Sequence, residues 1–230
     1  MSDLKHFGRV LVIAPHPDDE ILGCGGTIAR LSAEGQEVHV AVTTQGYPPA
    51  FSEESVAQVR REMTSAHEIV RVSQTHVLDL PAAALDQVPA SQLNAKLEQL
   101  VKDVAPDTLF LPFVGDIHGD HQLIFLASMV AARPRHDKAP SRIFCYETLS
   151  ETNWYAAPVT PAFVPNVFID ISDTLETKVR AFAAFASQVR PFPDERSIEA
   201  IESLARIRGA AVHLRAAEAF VLVREIARKT

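Results

Sequence analysis

The chain has 230 residues, of which 47% are hydrophobic and 22% charged, and it carries a formal net charge of −7. Those proportions belong to an ordinary globular protein, and a chain of this length can bury a core that needs no disulfide or structural metal. The acidic balance and the lack of a basic stripe exclude nucleic acid as the expected partner, because phosphate contacts need clustered Lys and Arg.

Arg9 to Ala14 reads as a buried strand, whose apolar run starts at Val10. It is too short for a membrane span or a signal peptide core. A helix is expected from about Gly25 to Glu34, stopped by Gly35. A second strand at Val38–Thr44 precedes a helix over Glu53–Val72, with Ser52 as its N-cap. A third strand at Thr75–Leu80 and a helix over Ser91–Val104 follow, the latter broken by Pro106-Asp107. Thr108–Leu111 reads as the fourth strand, about His121 to Arg133 as a helix, Arg142–Tyr146 as the fifth strand and Val167–Ile171 as the sixth. Two helices, about Asp173–Val189 and Ser197–Ala217, lead to a last strand at Ala219–Val223, expected on the sheet edge.

Near-continuous apolar strands alternating with helices imply an α/β fold with a mainly parallel sheet covered on both faces. Right-handed crossovers make it doubly wound and Rossmann-like. A single domain over residues 1–230 is expected, with the core over about 1–150 and a C-terminal part over about 151–230 completing the substrate pocket. The two cysteines, Cys24 and Cys145, are far apart, which points to a reduced, cytoplasmic compartment.

Two clusters carry the chemistry. Pro15-His16-Pro17-Asp18-Asp19-Glu20 follows the first strand, and Asp116-Ile117-His118-Gly119-Asp120-His121 follows the fourth. Ligands of doubly wound sheets bind beyond the strand C-termini, where the strand order reverses. The first and fourth strands flank that point in the common order, so the clusters should face each other. Catalytic zinc takes three protein ligands and leaves one position open, and His16, Asp19 and His121 can supply the three. Asp18 is left beside the open position, able to take a proton from metal-bound water. His118, one helical turn before His121, can point at the same crevice and as imidazolium would stabilise an oxyanion or protonate a leaving amine. Asp120 can orient an imidazole through its second ring nitrogen, and Asp116 and Glu20 flank the same site.

His16-Pro17-Asp18-Asp19-Glu20 together with His118-Gly119-Asp120-His121 resembles the LmbE-like, or PIG-L, family of zinc-dependent N-acetylglucosamine deacetylases. The resemblance implies His16, Asp19 and His121 as metal ligands, Asp18 as general base and His118 as the residue assisting the tetrahedral intermediate. It implies Zn2+, or another divalent ion such as Fe2+, Co2+ or Mn2+, and an amino-sugar substrate on a nucleotide, lipid or glycan. It allows a homo-oligomer. Ser150-Glu151-Thr152-Asn153-Trp154, Pro165–Ile171 and Phe192-Pro193-Asp194-Glu195-Arg196-Ser197 resemble a branch tied to surface glycan biosynthesis, with Trp154 and Arg196 as candidate substrate contacts. Many members carry Leu-Pro-Asp-Gly after the third strand, and this chain has Leu80-Pro81-Ala82-Ala83. Asp86 is the candidate replacement for the missing sugar-contacting acid. Arg60-Arg61-Glu62 supplies a further candidate contact, Arg60.

Other readings compete. Asp18, Asp19 and Glu20 suit a helix N-terminus on electrostatic grounds alone. Gly23-Cys24-Gly25-Gly26 invites a dinucleotide site, but Ile28 occupies the third glycine position, and close helix–strand packing is the better account. His39, His67, His76 and His213 lack a partner motif and read as structural or solvated. A 2-His-1-carboxylate Fe(II) oxygenase fits the same ligands, although such triads sit on antiparallel barrels. An inactive metal-binding module is the third reading, against which the spare carboxylate of Asp18 stands.

Overall fold

The computed structural model describes residues 4–154, 156 and 158–227. A 3-10 turn at Leu4–Phe7 leads into β1 (Val10–Ala14), α1 (Asp19–Ala33), β2 (Val38–Gln45), α2 (Glu53–Val70) and β3 (Gln74–Pro81). A 3-10 turn at Leu85–Gln87 precedes α3 (Ala90–Val104), β4 (Thr108–Pro112), α4 (Gly119–Ala131) and β5 (Arg142–Tyr146). The chain ends with β6 (Val167–Asp170), α5 (Leu175–Ala183), α6 (Ile198–Ala210) and β7 (Ala217–Glu225).

The strands form one seven-stranded sheet in the order β3-β2-β1-β4-β5-β7-β6. The pairs from β3 to β5 are all parallel, and β7 runs antiparallel to both its neighbours. Side chains alternate across a strand, so β1 sends Val10, Val12 and Ala14 into one core layer and Leu11 and Ile13 into the other. The first layer also takes Ile21 and Ile28 of α1 and Phe182 of α5. The second takes Leu97 of α3 and Ile124 of α4. Burial on both faces explains why the strands read as unbroken apolar runs, and the sheet is the doubly wound α/β arrangement expected from them. It is no antiparallel barrel, so the setting expected of an oxygenase triad is not the one this chain builds.

Three features differ from expectation in ways the packing explains, and α5 also ends early, at Ala183 and not Val189. α1 begins at Asp19, well before Gly25, because Asp19 and Glu20 form its first turn, where the helix dipole favours negative charge. Its glycines are tolerated because packing requires one of them: a Cβ on Gly23 would stand 2.2 Å from the Tyr146 ring. α6 ends at Ala210, short of Ala217, where a Cβ on Gly209 would meet the Ala216 backbone at 2.8 Å as the chain doubles back. β7 is not an edge strand. It inserts between β5 and β6, with its first four residues buried. Among the described residues, no helix is long and apolar enough to cross a membrane.

Candidate metal centre and active-site cavity

β1 and β4 are adjacent and parallel, so the loops at their C-terminal ends meet. After β1, the His16 backbone N–H donates to Asp19 Oδ2 at 2.8 Å, curling the loop so that both side chains face the crevice. Asp18 sits at φ 116°, in the region that disfavours side chains. Its backbone N–H donates to Glu20 Oε2 at 3.1 Å. Glu20 is held in turn by His67 Nε2 at 3.1 Å, and His67 Nδ1 meets Thr75 Oγ1 at 2.7 Å. A chain of three buried or half-buried contacts thus fixes the strained residue. His67, which lacked a partner motif in the sequence, is part of that support.

Asp19 Oδ2 lies 3.3 Å from His16 Nδ1 and 3.2 Å from His121 Nε2. The outward nitrogens are tied to carboxylates: His16 Nε2 to Asp120 Oδ2 at 3.0 Å, and His121 Nδ1 to Asp116 Oδ2 at 2.8 Å. Asp120 Oδ2 also accepts from the Ala83 backbone at 2.7 Å, and Asp116 Oδ1 accepts from Thr152 Oγ1 at 2.6 Å. Each imidazole is therefore oriented by a carboxylate behind it, the arrangement that fixes metal-binding histidines.

The residues fit a divalent cation. One atom each from His16, Asp19 and His121 falls within 4.8 Å of the others. Asp19 Oδ1 and His121 Nε2 are buried without a hydrogen-bond partner, a costly state for a polar atom. The site also demands positive charge. Burial alone would lower the His16 pKa, yet Asp120 and Asp19 raise it to about 9. Burial is likewise outweighed at His121, where Asp19 and Asp116 raise the value to about 10. A metal ion meets the same demand.

Around this cluster lies a cavity of about 340 Å³, whose lining includes Asp18, His118 and Arg196. Arg196 Nη1 donates to Asp18 Oδ2 at 2.7 Å and to Gln188 Oε1 at 3.2 Å, and Arg196 Nε donates to Ser150 Oγ at 3.0 Å. Burial raises the Asp18 pKa, and the Arg196 charge opposes the rise. His118 is the N-cap of α4, its Nδ1 accepting the Asp120 backbone N–H at 3.1 Å. A nitrogen that accepts carries no proton, and burial followed by the nearby His16 lowers the His118 pKa. This contact leaves Nε2–H as the ring's donor; the imidazolium expected from sequence would need the Nδ1 contact to open.

Arg60 lines the cavity and is bound by Gln45 and Asp79, while Arg61 is exposed. Two expected contacts fall outside the lining. Asp86 is exposed, because its turn is anchored by buried Leu85; Ala82 and Ala83 line the cavity with no acid in their place. Trp154 is 58% exposed and is not a lining residue. Glu151 and Gln188 line the cavity and were missed as site residues. The only signal for Glu151 was its place in the Ser150–Trp154 run.

A protein-family model described as PIG-L, GlcNAc-PI de-N-acetylase, matches residues 11–132. A diacetylchitobiose deacetylase from Thermococcus kodakarensis is 28% identical over 209 residues, covering 84% of this chain and 73% of that protein. A probable N-acetyl-α-D-glucosaminyl L-malate deacetylase 2 from Bacillus cereus is 28% identical over 190 residues, covering 78% of this chain and 83% of that protein. Among solved structures, the conserved protein TT1542 from Thermus thermophilus superposes with a TM-score of 0.78 at 27% identity over 96% of each chain. The family match takes in both clusters and more than half of the sequence, and the chain belongs to the PIG-L family.

Proposed function

We propose that the protein is a metal-dependent hydrolase that removes the N-acetyl group of an amino sugar carried on a nucleotide, lipid or glycan. The observation that carries this reading is the convergence of His16 Nδ1, Asp19 and His121 Nε2, with both outer imidazole nitrogens held by carboxylates. The names of the relatives, deacetylases of N-acetylated sugars, support it.

His16, Asp19 and His121 hold the ion, with zinc as the proposed occupant because two imidazoles and one carboxylate suit it. When bound, such an ion supplies a Lewis acid and brings the pKa of its water to about 7. Asp18 takes the proton of the attacking water. Arg196 opposes the rise that burial imposes on the Asp18 pKa and aims the carboxyl. His118 donates Nε2–H to the carbonyl oxygen as charge develops there. Asp18 returns the proton to the leaving nitrogen, so that carboxylate and amine depart. Asp116, Asp120 and Glu20 orient these groups. The part of the chain after residue 150 completes the pocket through Glu151, Gln188 and Arg196. Buried free Cys24 and Cys145 favour a reducing, cytoplasmic compartment.

The test is a screen of N-acetylated nucleotide sugars and glycosides for free amine, with metal content measured alongside. Chelation should abolish turnover and a divalent ion should restore it. Full activity in metal-stripped protein would end the proposal.

A further inference from the structure

Glu62 of α2 is half-buried and does not line the cavity, yet a series of hydrogen bonds joins it to Asp18. Its Oε1 accepts the Ser187 backbone N–H at 3.0 Å and its Oε2 accepts the Ser187 hydroxyl at 2.6 Å, across 125 residues of sequence. Ser187 Oγ accepts Gln188 Nε2 at 3.0 Å. Gln188 Oε1 accepts Arg196 Nη1 at 3.2 Å, and the same Nη1 donates to Asp18 Oδ2 at 2.7 Å.

From Arg196 to Glu62, every link runs in one direction. Arg196 can only donate, so the Gln188 amide turns its oxygen to Arg196 and its NH2 group to Ser187. The Ser187 hydroxyl has one hydrogen, which goes to the Glu62 carboxylate. Glu62 thus sets which way Gln188 faces. Hydrogen bonds in series that share a direction also polarise and strengthen one another. The segment between Gln188 and Arg196 closes on itself, with the Arg190 N–H donating to the Arg196 carbonyl at 3.1 Å and the Arg196 N–H to Asp194 Oδ1 at 2.8 Å. Those bonds shape the loop without tying it to α2. Glu62 makes that tie, and Gln58 Nε2 steadies it by donating to Glu62 Oε1 at 3.0 Å.

We propose that Glu62 is a positioning residue for the catalytic base, acting through Ser187, Gln188 and Arg196. This rests on the hydrolase reading above. Glu62→Gln replaces one acceptor oxygen with a donor. The new donor faces either the Ser187 N–H or the Ser187 oxygen, and both placements loosen the anchor. Ser187→Ala removes the middle of the series and leaves the backbone bond to Glu62 in place.

The test uses the metal-loaded protein. Ser187→Ala and Glu62→Gln should each lower kcat by roughly five- to twentyfold with KM and metal content unchanged, because a misplaced base costs rate and not binding. Ser187→Thr, which keeps the hydroxyl, should recover most of that loss. In an Arg196→Met background, Glu62→Gln should cost nothing further, since the series then has no route to Asp18. A second measurement needs no turnover. The Arg196 guanidinium N–H signals are identified by NMR through their absence in Arg196→Met. They should exchange with water roughly two- to tenfold faster in Ser187→Ala, the worth of one hydrogen bond. Unchanged exchange, an additive loss in the Arg196→Met background, or Ser187→Thr as slow as Ser187→Ala would overturn the proposal. If exchange responds as expected while the wild type cleaves no amide, the hydrolase reading fails and Glu62 still positions Arg196 against Asp18.

Discussion

Arg196 Nη1 donates to Asp18 Oδ2 at 2.7 Å across 178 residues of sequence, joining the loop before α6 to the loop after β1. Asp18 is buried to 1% exposure, and Arg196 is the cation paired with it. Removing that cation leaves a carboxylate without its counter-charge in a site whose burial already raises its pKa. Arg196→Met should therefore keep the metal and lose roughly ten- to a hundredfold in kcat through misplacement of the base. Arg196 lowers the Asp18 pKa, so its loss raises that pKa. The acidic limb of the pH–rate profile should move to higher pH. Arg196→Lys keeps the charge without the fork and should move the limb less. An unmoved limb in both variants would mean that Arg196 serves the substrate alone.

Asp18 and Asp19 are neighbours in sequence with different surroundings. Asp19 faces two imidazoles, while Asp18 faces a guanidinium. Asp18→Asn should retain the metal and lower the rate by roughly 10²–10⁴-fold, the usual worth of a general base. Asp19→Asn should lose the metal, as should His16→Ala and His121→Ala. Metal analysis of the purified variants checks this. If Asp18→Asn loses metal and Asp19→Asn keeps it, the two roles are exchanged.

The site was legible where chemistry and topology were both local to a strand end. His16 and His121 come together, with ring centroids 5.3 Å apart, because β1 and β4 are parallel neighbours, which the strand–helix alternation implied. Contacts set by the C-terminal chain were not legible. β7 inserts between β5 and β6 through antiparallel pairing that no local pattern specifies, and the Arg196 link depends on that chain's path. Asp86 looked like a replacement acid by proximity in sequence, but buried Leu85 fixes its turn. The Nδ1 bond of His118 was not legible either, because its partner is a backbone N–H, which residue types do not reveal.

The outer carboxylates give a graded prediction. Asp116 and Asp120 hold the far nitrogens of His121 and His16. Asp116→Asn and Asp120→Asn should each weaken metal affinity by roughly 10–100-fold, as loss of an orienting partner does in metal sites. Competition with a fluorescent chelator measures it. Affinity unchanged in both would show that the imidazoles hold their orientation without them.

A structural pair tests the fold independently. Lys178 Nζ lies 2.6 Å from Glu218 Oε1 and donates to the Leu22 carbonyl at 2.7 Å, while Glu218 accepts from the Gly26 and Thr27 backbones. Both side chains are buried. Lys178→Met leaves a buried carboxylate uncompensated and should destabilise the protein by roughly 3–5 kcal/mol. Adding Glu218→Gln should recover part of that loss. Denaturant unfolding checks it, and equal stability of the single variant and the wild type would discount the pair.

The role of His118 separates two mechanisms. Its Nδ1 accepts the Asp120 N–H at 3.1 Å, which leaves Nε2–H as the group able to act in the cavity. A neutral donor helps only as negative charge grows on the carbonyl oxygen, so its loss should fall on kcat more than on KM. His118→Ala should retain metal and lose roughly 10²–10³-fold in kcat, the worth of one oxyanion donor. His118→Asn keeps an N–H near the cavity and cannot become a cation. Partial recovery in Asn over Ala is expected if donation is the role, with the alkaline limb of the pH–rate profile at the same pH in wild type and both variants. An imidazolium acid predicts otherwise: Asn would be as slow as Ala, and the alkaline limb would vanish in both. That outcome would mean that the Nδ1 bond breaks when substrate binds and that His118 acts as the charged acid.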